Sequence, residues 1–157
     1  MTDGPLRVAI ADDSVLLRDG LVRLLSESGF EVVGAVGDAA ALLDSLEDTA
    51  VDLVVVDVRM PPTFTDEGIQ AALTMRERWP ALAIVVLSQY VEERYAADLL
   101  GGGTSSTASA TATGGVGYLL KDRVVDIDDF VSSLRRVAAG GSAVDAEVVS
   151  QLLGRSR

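Results

Sequence analysis

Five short apolar runs, rich in valine, leucine and isoleucine, recur along the chain. They cover residues 6–11, 31–36, 51–57, 83–87 and 116–120. Because these runs are almost continuously apolar rather than alternating, they are typical of strands buried on both faces of a parallel sheet. Helical patterns separate them, so the sequence predicts a (βα)5 unit: a five-stranded parallel sheet between layers of helices, joined by right-handed crossovers.

The helical patterns have recognisable ends. A Ser, Thr or Asp before the first turn can accept a hydrogen bond from a backbone amide, which favours it as an N-cap. Gly29 is placed to end the first helix, and Pro80 stops the third. The predicted helices start near Ser14, Asp38, Thr65 or Asp66, Glu92 and Asp126, and a shorter helical pattern covers residues 146–153.

One segment is compositionally distinct from the predicted core. Residues 101–115 consist only of Gly, Ser, Thr and Ala, so they can bury little apolar area. We expect a flexible insert between the fourth helix and the fifth strand.

Composition excludes several classes of function. The chain has 157 residues, no histidine, no cysteine and a net charge of −11, which argues against histidine or zinc chemistry and against unaided binding to nucleic acid. No secretory signal and no apolar run of about 20 residues is present, so we expect a cytoplasmic protein without membrane contact. Lys121 is the only lysine among 13 basic residues.

Polar residues stand at the ends of four predicted strands: Asp12 with Asp13, then Asp57, Ser88 and Lys121. A single aspartate at a strand end is often only a solvated side chain. The carboxyl ends of parallel strands, however, meet at one rim of the sheet, so these residues are expected to converge. Their joint placement predicts a shared site.

The chemistry of these residues indicates phosphoryl transfer. Carboxylates about 4 Å apart repel one another by about 4 kcal/mol at an effective dielectric of 20, so the three aspartates need a cation. With oxygen ligands only, Mg²⁺ is the natural choice. The metal, the Ser88 hydroxyl and the Lys121 ammonium could surround a phosphoryl group, with Asp57 as the nucleophile.

These motifs resemble the receiver domain of two-component response regulators over about residues 6–140. The matching residues are Asp12-Asp13, Asp57 with Met60-Pro61, Ser88 and Tyr118-Leu119-Leu120-Lys121. Segments 87–90 and 117–123 are similar to the NarL/LuxR-type branch. The resemblance implies a flavodoxin-like three-layer fold with strand order 2-1-3-4-5. It also implies a receiver domain over residues 1–141, followed by a C-terminal helix and the start of a linker over 142–157.

The resemblance further implies residue roles. Asp57 would accept a phosphoryl group from a sensor histidine kinase, and Lys121 would pair with that group. Asp12, Asp13, Asp57 and the backbone carbonyl of Arg59 would hold Mg²⁺. The chain would then be a regulatory phosphoacceptor rather than an enzyme, and it would control transcription through a DNA-binding domain outside this chain.

Ser88 and Tyr118 match the family's switch hydroxyl and switch aromatic, and Arg59 and Tyr90 would flank the phosphoryl group. The loop 61–68 is about three residues longer than usual, and the insert adds roughly ten residues next to a surface through which receivers commonly signal. We therefore expect the homodimer formed on phosphorylation to use the first helix and the helix starting at Asp126. A passive insert and a monomer form the alternative.

Two other functions compete with this interpretation. The first is a Mg²⁺-dependent phosphatase of the haloacid-dehalogenase type, which places a second aspartate two residues after its nucleophile, where this chain has Arg59. The second is a receiver fold that binds partners without being phosphorylated. The presence of Asp57, Ser88 and Lys121 argues against this second alternative.

Overall fold

A parallel sheet forms the centre of the protein in a computed structural model, which describes residues 5–61, 66–89 and 115–144. The strands are β1 (Arg7–Ala11), β2 (Glu31–Val36), β3 (Leu53–Asp57), β4 (Ala83–Ser88), β5 (Val116–Leu120) and β6 (Ser142–Val144). Their order is β2-β1-β3-β4-β5-β6, and every pair is parallel. The predicted flavodoxin-like fold and the order of its first five strands are confirmed.

The described helices begin at the residues that the sequence predicts. They are α1 (Val15–Glu27), α2 (Ala39–Asp48), α3 (Glu67–Arg78) and α4 (Ile127–Ala138), with a 3-10 helix (Lys121–Val125) after β5. Ser14, Asp38 and Asp126 each accept a hydrogen bond from a first-turn amide. Asp66 precedes α3 but makes no such capping bond. The predicted helices at 92–100 and 146–153, Thr65, Tyr90 and most of the insert lie outside the described residues.

Helices cover both faces of the sheet and divide the core into two clusters. The α2 and α3 side contains Leu42 and Met75, and the α1 and α4 side contains Leu25 and Phe130. Strand residues contribute alternately to the two clusters because successive side chains point to opposite faces. The four central strands, β1, β3, β4 and β5, are therefore buried on both sides, which is why their sequences are almost continuously apolar.

The sixth strand is a correction to the five-stranded prediction. β6 pairs with β5 over Val116–Tyr118, so the sheet extends to Val144, beyond the boundary expected at residue 141. Two glycines leave room for this approach. A Cβ atom on Gly115 would lie 2.2 Å from the carbonyl oxygen of Gly141, and one on Gly117 would lie 3.0 Å from that of Ala143. A three-residue strand carries too little periodicity to be read from sequence.

The described helices are also too short or too polar to span a bilayer.

Candidate functional site

Four adjacent strands bring the polar residues together at the carboxyl rim of the sheet. Asp12 follows β1, Asp57 ends β3, Ser88 ends β4 and Lys121 follows β5. These strands are neighbours in the order β1-β3-β4-β5. The convergence expected from parallel topology is therefore present in the structure.

Three carboxylates form the acidic part of the site. One oxygen from each of Asp12, Asp13 and Asp57 lies within 4.8 Å of the others. Asp12 and Asp57 are buried, with 1% and 4% of their surface exposed, whereas Asp13 is exposed. The cluster thus has a buried floor and one solvent-facing edge, which lets a small ligand reach it.

The oxygens of this cluster differ in their hydrogen bonds. Asp12 Oδ1 accepts the backbone amide of Ser14 at 2.9 Å, and Asp57 Oδ1 accepts that of Arg59 at 3.4 Å. Asp12 Oδ2 is buried and has no hydrogen-bond donor among the described residues. A buried carboxylate oxygen without a hydrogen-bond donor lowers the stability of the fold, so this atom is suited to bind a cation.

Lys121 supplies the positive charge of the site. Its Nζ donates a hydrogen bond to Asp57 Oδ2 at 3.0 Å and lies 3.9 Å from Asp12 Oδ2. The lysine is the first residue of the 3-10 helix, and 26% of its side chain is exposed. The only lysine of the chain therefore contacts the predicted nucleophile directly.

Burial raises the pKa of Asp57 from 3.8 to about 6. The hydrogen bond and charge of Lys121 oppose this rise, while the nearby Asp12 carboxylate adds to it. Burial also raises the pKa of Asp12, against the Ser14 amide and the charges of Lys121 and Arg18. One ammonium therefore does not fully compensate the buried carboxylates.

The site fits a hard divalent cation. Its donors are carboxylate oxygens, one of them buried without a hydrogen bond, and this donor set suits Mg²⁺. Asp12, Asp13 and Asp57 are the residues that would hold the ion. The role expected for the Arg59 carbonyl remains a prediction.

The two predicted switch residues lie on adjacent strands. Ser88 is 1% exposed at the end of β4, and the side chain of Tyr118 on β5 is fully buried. In the β4–β5 register Ser88 pairs with Leu120, and Val86 pairs with Tyr118. Tyr118 belongs to the cluster that α2 and α3 cover, so in this structure its ring points into the core.

Arg18 is a site-supporting residue that the sequence pattern did not reveal. From α1, its Nη1 donates a hydrogen bond to the backbone carbonyl of Asp12 at 2.8 Å. Gly37 leaves space for it, since a Cβ atom there would lie 3.0 Å from Nη1. The partner of Arg18 is a backbone atom, and no residue-type pattern identifies such a contact.

Comparisons with known proteins agree with this geometry. A family model described as the response regulator receiver domain matches residues 8–128. The transcriptional regulatory protein DegU of Brevibacillus brevis is 28% identical over 158 residues, covering 100% of this chain and 60% of DegU. MctR of Rhizobium johnstonii, also named a transcriptional regulatory protein, is 31% identical over 156 residues, covering 98% of this chain and 65% of MctR.

Solved structures show the same fold. The response regulator RcsB of Salmonella typhimurium superposes with a TM-score of 0.75 at 22% identity, covering 98% of this chain and 68% of that one. A LuxR-family response regulator from Aurantimonas sp. SI85-9A1 gives a TM-score of 0.74 at 21% identity, with 98% and 99% covered. The chain spans less than two thirds of the length of DegU and MctR.

Proposed function

We propose that this chain, which belongs to the response regulator receiver domain family, is a switch that is turned on when Asp57 is phosphorylated. The phosphodonor is the phosphohistidine of a sensor kinase in the cytoplasm. The output is transcription, controlled by a DNA-binding domain outside this chain and joined through the residues that follow Val144, the end of β6. The observation that carries the proposal is the buried Asp57 carboxylate, held 3.0 Å from Lys121 Nζ beside Asp12 and Asp13.

The proposed reaction transfers one phosphoryl group. A carboxylate oxygen of Asp57 forms a bond to phosphorus as the bond from phosphorus to the imidazole nitrogen breaks, and that nitrogen keeps the electron pair. A pKa of about 6 leaves most Asp57 carboxylates ionised at pH 7, so the nucleophile is available. Mg²⁺ bound by the three aspartates would offset negative charge on the carboxylates and phosphoryl oxygens.

Lys121 has a defined part in this reaction. Before transfer it pairs with Asp57 Oδ2. Once Asp57 carries the phosphoryl group, the ammonium can pair with a phosphoryl oxygen at the same rim. The Ser88 hydroxyl, at the end of the neighbouring strand, is proposed to move toward a second phosphoryl oxygen and bind it. Tyr118 is proposed to be the switch aromatic, whose side chain changes position when Ser88 moves.

The alternative functions have less support. A haloacid-dehalogenase-type phosphatase needs an acid two residues after its nucleophile, and Arg59 occupies that position. A receiver fold that only binds partners would have no need of the partly buried ion pair between Lys121 and Asp57. We therefore retain the regulatory phosphoacceptor, which is not an enzyme acting on other substrates.

Exposed apolar side chains beside the site suit a protein phosphodonor. The large exposed hydrophobic residues of the described chain are Val15 and Leu16, in the first turn of α1, and Val125 and Ile127, around the start of α4. Val15 and Leu16 closely follow Asp12 and Asp13 in the sequence, and Val125 and Ile127 closely follow Lys121. We propose that the sensor kinase docks here because apolar contacts next to the rim would hold its phosphohistidine near Asp57.

A homodimer is proposed through the outer sides of α1 and α4. A shallow groove of about 280 Å³ runs along α1 beside the first residue of α4 and is lined by Leu24, Glu27 and Ile127, among others. One structural relative is described as two RcsB dimers bound to two parallel DNAs, which supports dimers in this branch of the family. DNA contact would come only from the output domain.

The proposal is tested by labelling with acetyl phosphate and Mg²⁺. Intact-mass spectrometry should show one phosphoryl group, lost at alkaline pH and absent from Asp57→Asn. Lys121→Arg keeps the charge but replaces a compact ammonium by a planar fork, so it should impair signalling output.

Asp19→Asn serves as the matched control, because Asp19 is an exposed aspartate on α1 and should label normally. Labelling that persists in Asp57→Asn would contradict the nucleophile assignment. Sustained turnover of phosphate monoesters would favour the phosphatase alternative.

A further inference from the structure

Gly68 packs against the backbone of the nucleophile. It is the second residue of α3 and is buried. A Cβ atom at this position would lie 1.8 Å from the carbonyl oxygen of Asp57, 2.7 Å from its carbonyl carbon and 2.9 Å from Cα of Val58. All three are backbone atoms, so no side-chain rotation could relieve the overlap.

Hydrogen bonds hold the Asp57–Val58 segment from two sides. The amide of Gly68 donates to the carbonyl of Val58 at 2.8 Å, and the amide of Val58 donates to the carbonyl of Leu87 on β4 at 3.0 Å. The end of β3 is thus fixed between the neighbouring strand and the first turn of α3. The direct backbone contact exists only because residue 68 has no side chain.

Gly20 and Gly34 provide a contrast. A Cβ atom at either of these positions would meet nothing within 4 Å. Alanine there requires no movement of the surrounding structure. The steric demand at Gly68 therefore comes from its contact with the backbone of Asp57 and Val58.

We infer that Gly68 is a positioning residue for Asp57, setting the depth of its carboxylate relative to Asp12 and Lys121. The inference rests on the proposed phosphoacceptor function. A methyl group at residue 68 has to move from 1.8 Å to at least 3.0 Å from the Asp57 carbonyl oxygen, so α3 or the end of β3 shifts by more than 1 Å. A displacement of about 1 Å in a reacting group can cost about 10²-fold in rate.

The test compares Gly68→Ala with two controls. Gly20→Ala makes the same chemical change at an open helical position. Ile69→Val weakens packing at the next residue, which is fully buried, without adding an atom near Asp57. For each protein the rate of phosphorylation by acetyl phosphate, the Mg²⁺ dissociation constant from calorimetry and the folded fraction are measured.

Gly68→Ala is expected to lower the rate per folded molecule by about 10²-fold and to weaken Mg²⁺ binding. Both controls should keep wild-type values per folded molecule, because lost stability alone does not move Asp57. Wild-type rate and Mg²⁺ affinity in folded Gly68→Ala would overturn the inference. If the wild-type protein itself is not phosphorylated, the proposed function fails instead.

A measurement on the wild-type protein covers the case in which Gly68→Ala does not fold. Mg²⁺ is titrated while backbone amide resonances are followed by NMR. The Gly68 amide, bonded next to Asp57, should shift strongly, whereas the Gly20 amide should not. A Gly68 resonance that stays unchanged while Mg²⁺ binds would overturn the inference.

Discussion

Replacing Asp57 with asparagine is expected to stabilise the fold at neutral pH while removing the phosphorylation site. Asp57 is 4% exposed, and burial raises its pKa from 3.8 to about 6. Because the folded-state pKa is the higher one, the native protein holds this proton more tightly than the unfolded chain does. Ionised Asp57 therefore opposes folding, and asparagine removes that charge at nearly the same size.

The magnitude follows from the pKa difference. At about 1.4 kcal/mol per unit, the rise from 3.8 to about 6 corresponds to about 3 kcal/mol once Asp57 is ionised in both states. Asparagine also leaves Lys121 without its carboxylate partner. The lysine is 26% exposed and can be solvated, so the net gain should be about 1 to 3 kcal/mol.

The stabilisation should depend on pH in a defined direction. Well below pH 4, Asp57 is protonated in both states, so wild type and Asp57→Asn should differ little. As pH rises from about 4 to 6, the wild type loses stability relative to the variant, and above about pH 6 the difference is complete. Titrating groups that do not interact with Asp57 largely cancel in this comparison because both proteins contain them.

Urea unfolding in Mg²⁺-free buffer at about pH 4.5 and pH 7.5 measures this difference. Asp19→Asn, an exposed replacement on α1, is the control and should show little gain at either pH. Added Mg²⁺ should stabilise the wild type more than Asp57→Asn and narrow the gap. A variant that is less stable than wild type at pH 7.5, or a stability difference independent of pH, would show that ionised Asp57 does not oppose folding.

Two further predictions concern the proposed docking residue Leu16 and the edge strand β6. Leu16 is 86% exposed and should affect phosphorylation by the sensor kinase only. Leu16→Ser should slow phosphorylation by the purified kinase about tenfold but leave acetyl phosphate labelling unchanged. Equal slowing with both phosphodonors would contradict a docking role. Ala143→Asp should lower the free energy of unfolding by about 2 kcal/mol in urea titrations because Ala143 is buried in β6. Ser142 is exposed, so Ser142→Asp should change the free energy of unfolding little. Equal effects of the two substitutions would show that β6 does not pack as described.

The local sequence pattern was sufficient to predict much of the fold and which polar residues lie at the carboxyl rim of the sheet. Apolar runs such as 83–87 are typical of strands buried on both faces of a sheet, and caps such as Ser14 and Asp38 mark helix starts through bonds within one turn. Parallel topology then sends every strand end to one edge. This explains why Asp12, Asp57 and Lys121 could be grouped although more than a hundred residues separate the first from the last.

Contacts between distant backbone segments required the folded structure. β6 is too short to show a period and pairs with β5 through space left by Gly115 and Gly117. Arg18 and Gly68 support the site through the backbone of Asp12 and Asp57, and backbone atoms are alike at every residue. Periodicity therefore predicts which elements form and which of their faces are buried, whereas the close approach of one backbone to another depends on how helices and strands pack in three dimensions.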